Sequence, residues 1–241
     1  LVTGASSGIG RAIAQAAASA GARLILVGRN PDRLSETLAT LPGTGHNLLS
    51  TDLADPERYL PEIQAVLDQH KPIDGFVHAA GEELTLPLRM LTAKHYHRLF
   101  AINTVAAFEL TRLCARPSLV PASGASHVYL ASVRASRGQP GNAAYCASKG
   151  ALVAGMRAIA LELAPKNVRI NTISPGMVTT PMSDTMFSRL PPDAAASIKA
   201  MHPLGLGMPE DVAEFTIFLL SSNARWITGS DLICDGGYSA S

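Results

Sequence analysis

Residues 3–10 read TGASSGIG, preceded by the strand-like Leu1-Val2 and followed at once by the helical run RAIAQAAASA. Three glycines where a strand passes directly into a helix are needed by few architectures. Gly4 permits a tight turn, Gly8 lets the backbone approach a ligand closely, and Gly10 allows helix and strand to pack together. Such a turn aims free N–H groups and the positive end of the helix dipole at one point, which is how a backbone binds a phosphate. Ser6, Ser7 and Ile9 fill the turn between the glycines.

Short apolar runs rich in β-branched residues recur at 23–28 (RLILVG), 75–79 (GFVHA), 127–131 (HVYLA), 168–174 (VRINTIS) and 231–234 (DLIC). Segments of helical length at 10–20, 56–69, 94–115, 143–164 and 209–220 separate them, several opened by Asp-Pro or Pro-Glu start signals. Strands with continuous apolar runs, alternating with helices, predict a doubly wound parallel sheet with helices on both faces. With the glycine turn, that is an α/β Rossmann fold, and 241 residues suffice for one such domain over 1–241. The stretch 181–203 breaks the rhythm with prolines, methionines and an alanine-rich piece, and is read as a lid.

Composition narrows the function classes. At 47% hydrophobic and 16% charged residues the chain is no disordered segment, and no apolar run approaches the roughly 20 residues of a membrane span. A formal net charge of +1 without a Lys/Arg cluster argues against nucleic acid or an anionic membrane as partner. Cys114, Cys146 and Cys234 lack disulfide or zinc spacing, so reduced thiols in a cytoplasmic protein are expected; the scattered histidines predict no metal site. Leu1-Val2-Thr3 reads as the end of a strand, with a few residues expected upstream and no signal peptide.

In NAAYCASKG, residues 142–150, Tyr145 and Lys149 stand four apart and share one helix face. The chain resembles the short-chain dehydrogenase/reductase family over nearly its whole length. The resemblance rests on TGASSGIG, Asp52-Leu53, HAAG at 78–81, Asn103, Ser132, YCASK at 145–149, SPGMVTT at 174–180 and CDGGY at 234–238. Within the family, LELAPKNVRINTISPG at 161–176 is most similar to bacterial 3-oxoacyl-acyl carrier protein reductases.

The resemblance implies a nicotinamide-dependent oxidoreductase in which Tyr145 is the general acid/base and Ser132 holds the substrate oxygen. Lys149 then binds the nicotinamide ribose and, together with the positive charge of the nicotinamide, lowers the phenol pKa, and Asn103 helps hold a proton-supplying water chain. Asp52 and Leu53 flank the adenine, and Ala80-Gly81 pass under the adenosine ribose. Pro175-Gly176 turn the chain at the nicotinamide, while Val178 offers backbone bonds and Thr180 a hydroxyl. His78 and Ala79 stand where the family pattern has asparagines that bond across the central sheet. Glu82 and Glu83, beyond Gly81, are read as solvated loop residues near the substrate entrance.

Cofactor choice is read from charge. An NAD-preferring fold places an acid near the end of the second strand, whereas here Val27-Gly28-Arg29-Asn30 offers a guanidinium, which suits the 2′-phosphate of NADP(H). NADP-dependent relatives often add a base where this chain has Ser7, with Arg11 the nearest substitute. The expected function is NADPH-dependent reduction of a ketone, with a 3-oxoacyl thioester, carried on acyl carrier protein or free, or a similar apolar ketone as substrate. Met182, Met186, Phe187 and Met201 motivate the apolar expectation. The alternatives are an NAD-linked dehydrogenase of a sugar, steroid or other secondary alcohol, and a nucleotide-sensing regulator without turnover. The resemblance also implies a homotetramer.

Overall fold

Strands apolar on both sides need cover on both faces. The computed structural model, which describes residues 1–188 and 190–240, supplies it. Seven strands form one all-parallel sheet: β1 (Val2–Thr3), β2 (Ile25–Gly28), β3 (Asn47–Ser50), β4 (Gly75–His78), β5 (Ala125–Leu130), β6 (Val168–Pro175) and β7 (Asp231–Cys234). Their order is β3-β2-β1-β4-β5-β6-β7. Side chains alternate across it. Ile25, Val27, Phe76 and Tyr129 point to the face covered by α3 (Pro56–Gln69), α5 (Ala106–Cys114) and α6 (Ala143–Leu163). Leu24, Leu26, Val77 and Val128 point to the face covered by α1 (Gly8–Ser19), α2 (Pro31–Ala39) and α9 (Pro209–Leu220).

The strand order reverses between β1 and β4, where Thr3 pairs in register with His78. Doubly wound sheets hold ligands beyond the carboxyl ends of the strands at such a reversal.

The sequence reading left α2 and β3 unassigned. The strand NLLS has only two apolar residues and lies half-buried at the sheet edge, so its periodic signal is weak. The expected single helix over 94–115 is also corrected: α4 (Ala93–Phe100) and α5 are joined by a π turn, Ala101–Val105. The expected strand 127–131 starts earlier, at Ala125, and ends at Leu130. The stretch read as a lid forms α7 (Pro181–Phe187) and α8 (Pro192–Ala200), with Arg189 outside the described residues. Among the described residues no helix is long and apolar enough to cross a membrane, and no group of three His, Cys, Asp or Glu residues could hold a metal ion.

Candidate active site

The glycine turn is built as the sequence requires. Gly4 has φ +68° and Gly8 φ +53°, backbone that L side chains rarely adopt. A Cβ on Gly10 would lie 2.3 Å from the Gly4 carbonyl oxygen, and one on Gly4 would lie 2.7 Å from the Ala79 backbone. Ser7 makes no side-chain bond to the start of α1, and the first turn of that helix carries no acid to compete with an anionic ligand.

The turn lines a cleft with Ser6, Ser7, Ile9, Gly28, Arg29, Asp52, Leu53, Ala80 and Gly81. All the residues expected to hold the adenosine half therefore meet in one place, and the cradle fits a dinucleotide. Arg33, on the first turn of α2, lines it too and was not singled out from the sequence. Arg11 is corrected. Its guanidinium donates to the Ser6 carbonyl (2.8 Å) and pairs with Glu36 (3.1 Å), so it is already engaged where a substitute base was expected.

Asp52 is tied on both oxygens: Oδ1 accepts from the Ala54 N–H (3.0 Å) and Oδ2 from Arg98 Nη1 (3.2 Å). Burial works against its charge, yet these two donors hold its carboxyl below the usual carboxylate range.

A second hollow adjoins the first through shared residues Ile9, Ala79, Gly81, Glu82, Thr180 and Met182. Ser132, Tyr145 and Lys149 line it, as do Pro175, Gly176 and Val178. Ser132 lies just past β5 and opens a short 3₁₀ turn, accepting from the Arg134 N–H (3.2 Å). Tyr145 and Lys149 stand on consecutive turns of α6, the lysine Nζ 5.9 Å from the ring centre. The Thr180 hydroxyl caps α7 by accepting from the Ser183 N–H (3.2 Å) and keeps its own proton for donation. Of the expected lid residues, Met182, Met186 and Met201 line this hollow. Phe187 instead packs under Lys199, 5.8 Å from its Nζ.

The protein's own groups raise Tyr145 above its ordinary value: burial is the largest cause and the Glu83 carboxylate adds to it. Ser132 and Arg134 offset part of the rise. Lys149, buried and donating to the Leu130 carbonyl (2.6 Å), is pushed down to about 8 by burial.

Asn103, in the π turn, is fully engaged with protein. Its Oδ1 accepts from the Glu82 N–H (2.9 Å), while Nδ2 donates to the Glu82 carbonyl and to Ser148 Oγ (both 3.0 Å). Ser148 in turn donates to the Tyr145 carbonyl (2.8 Å), so one amide braces both the 82 loop and the turn carrying the phenol. Gly81 lies between these groups: a Cβ there would stand at ordinary contact distance, 3.4 Å from Asn103 Oδ1 and 3.6 Å from Lys149 Nζ. Ser148 was missed, although its place three residues past Tyr145 was a visible signal.

His78 takes over the cross-sheet bonding. The Ala80 N–H donates to Thr3 Oγ1 (3.2 Å), and that hydroxyl donates to His78 Nδ1 (3.1 Å). His78 Nε2–H donates to the Ile102 carbonyl (3.0 Å), which fixes the neutral tautomer because a carbonyl only accepts. Burial, then the Lys149 charge, push the imidazole down to about 3.

The glycine cradle thus adjoins a hollow lined by a hydroxyl, a phenol and an ammonium group, a set of groups able to exchange a proton. Comparison with known proteins agrees with that chemistry. The family model described as enoyl-(acyl carrier protein) reductase matches residues 4–239. The chain is 32% identical to L-xylulose reductase of Bos taurus, over all of this chain and 96% of that protein. It is 34% identical to D-threitol dehydrogenase of Mycolicibacterium smegmatis, over 99% of this chain and 91% of that one. A solved structure of 4-hydroxyisoleucine dehydrogenase complexed with NADH superposes with a TM-score of 0.88 at 30% identity, covering all of this chain and 98% of the other. The chain therefore belongs to the short-chain dehydrogenase/reductase family, NAD(P)-dependent oxidoreductases that act on CH–OH and C=O groups.

Proposed function

We propose that this chain interconverts a secondary alcohol and its ketone on a small hydroxylated molecule, with NADPH as the preferred dinucleotide. The observation that carries the reading is the meeting of Ser132, Tyr145 and Lys149 with the glycine cradle in one groove. The bound dinucleotide supplies the hydride in reduction and accepts it in oxidation. Ser132 donates to the ketone oxygen as negative charge develops there. Tyr145 delivers its proton to that oxygen, and removes it in the reverse direction. Lys149, one helical turn away, favours the phenolate whenever it is charged. Asn103 acts through Ser148 and the 82 loop to position the phenol.

A polar wall of Glu83, Arg134, Gln139 and Tyr238 supports a hydroxylated substrate, as do the names of the xylulose and threitol enzymes. Arg29 and Arg33 in the cleft, with no acid at the end of β2, support NADPH. A second reading, reduction of a 3-oxoacyl thioester, draws on the methionine wall of Met182, Met186 and Met201. Leu161 on α6 and Ile233 on β7, apolar and exposed, support association into the homotetramer expected from the resemblance.

The test is oxidation of NADPH and of NADH against a panel of ketopentoses, small cyclic ketones and 3-oxoacyl thioesters. Fastest NADPH-linked turnover of a polyhydroxylated ketone is expected, while preference for a long-chain thioester establishes the second reading instead. Tyr145→Phe should lower turnover by at least about 100-fold with the dinucleotide Kd little changed. Turnover surviving that change removes Tyr145 as the proton carrier.

A further inference from the structure

Glu82 is not a solvated loop residue. Its Oε1 lies 2.6 Å from Arg29 Nη1, across the cleft that the glycine turn opens. Both of its oxygens also engage Arg98: Nη2 reaches Oε1 at 2.8 Å and Nε reaches Oε2 at 3.0 Å, a two-point fork. Asn103 holds the Glu82 backbone at both its N–H and its carbonyl, so the carboxylate is fixed from three sides. Arg29 is the movable member of the pair, with a side chain 58% exposed against 25% for Glu82.

We propose that Glu82 sets the cofactor preference of this chain by competing with the 2′-phosphate of NADP(H) for the guanidinium of Arg29. The inference rests on the reading of Arg29 as the phosphate-binding residue. With NADH the Arg29–Glu82 pair stays intact. With NADPH it must open, and Arg29 exchanges a carboxylate partner for a phosphate. Arg98, which it shares with Asp52, remains bonded to the released Glu82, so that carboxylate keeps one cation partner. Glu82 therefore tempers an NADPH preference that Arg29 alone would make steep, and the enzyme retains usable affinity for both dinucleotides.

The test is direct calorimetric titration of NADPH and NADH into the native protein and its Glu82→Gln, Arg29→Ala, double and Arg98→Ala variants. Glu82→Gln should tighten NADPH by roughly threefold to fivefold, the range of a partly exposed ion pair, and leave NADH within about twofold. Arg29→Ala should weaken NADPH by about tenfold or more, and adding Glu82→Gln to it should give no further gain. Arg98→Ala, which leaves Glu82 with Arg29 as its sole cation, should move the ratio of NADPH to NADH affinity the opposite way. Equal tightening of both dinucleotides in Glu82→Gln, or none, overturns the proposal while leaving the Arg29 reading intact, provided Arg29→Ala still weakens NADPH. An unchanged NADPH affinity in Arg29→Ala overturns both.

Discussion

At the scale of single residues, His78 carries the clearest signature in pH. Both of its nitrogens are engaged and it is fully buried, so it stays neutral in the fold down to about pH 3. An unfolded histidine takes up its proton near pH 6.5. Between these values the unfolded chain binds a proton that the folded chain refuses, so stability falls as pH falls, by about 1.4 kcal/mol per pH unit for each such group. His127, buried beside Phe76 and also pushed down to about 3, adds a second contribution. Urea titrations from pH 6 to pH 4 should show the loss, and His78→Asn should remove about half of it. An unchanged slope in that variant would mean that His78 is not the group responsible. The sequence made Ser132, Tyr145 and Lys149 readable because order and spacing along the chain encode them. It did not reveal what His78 and Glu82 do, since their partners lie far off in sequence: Thr3 and Ile102 for one, Arg29 and Arg98 for the other.

At the scale of elements, the β1–α1 turn and the joint between α4 and α5 make opposite demands on a reader of sequence. Glycines announce the turn openly. Gly10→Ala should weaken binding of both dinucleotides by more than about tenfold and destabilise the protein by about 1–3 kcal/mol, because its Cβ meets backbone at 2.3 Å. Calorimetric titration and a urea melt check the two halves of that expectation. The π turn sends no such signal, because its residues, AINTV at 101–105, include no glycine or proline to mark a break in the helix. Its role shows only through Asn103, which braces Glu82 and Ser148. Asn103→Ala should lower kcat by more than it raises KM, and Asn103→Asp should restore only the bond from the Glu82 N–H. A change confined to KM would place Asn103 in substrate binding instead.

At the scale of the whole molecule, the alternation of strand and helix was enough to predict the layers, and the structure adds which faces meet. Phe76 sits centrally between the sheet and α5, ringed edge-on by His78, His127 and Tyr129 at 5.5–6.2 Å between ring centres. Phe76→Ala should cost about 3–5 kcal/mol in a denaturant titration. Glycine 155 of α6 lies so close to Phe108 of α5 that a Cβ there would come within 2.5 Å of the ring, so these two helices have no slack. Removing any one residue between 101 and 105 would leave an ordinary helix with α4 and α5 close to their present orientation, because a five-residue π turn advances the chain about as far round as four α residues. Leu110 and Phe108 would keep their places against the sheet and Gly155, and the loss would fall on Asn103, whose amide would no longer be aimed at Glu82 and Ser148. A single-codon deletion there should therefore cost turnover far more than it costs stability, the signature of a site set by local winding and not by the packing of the helix.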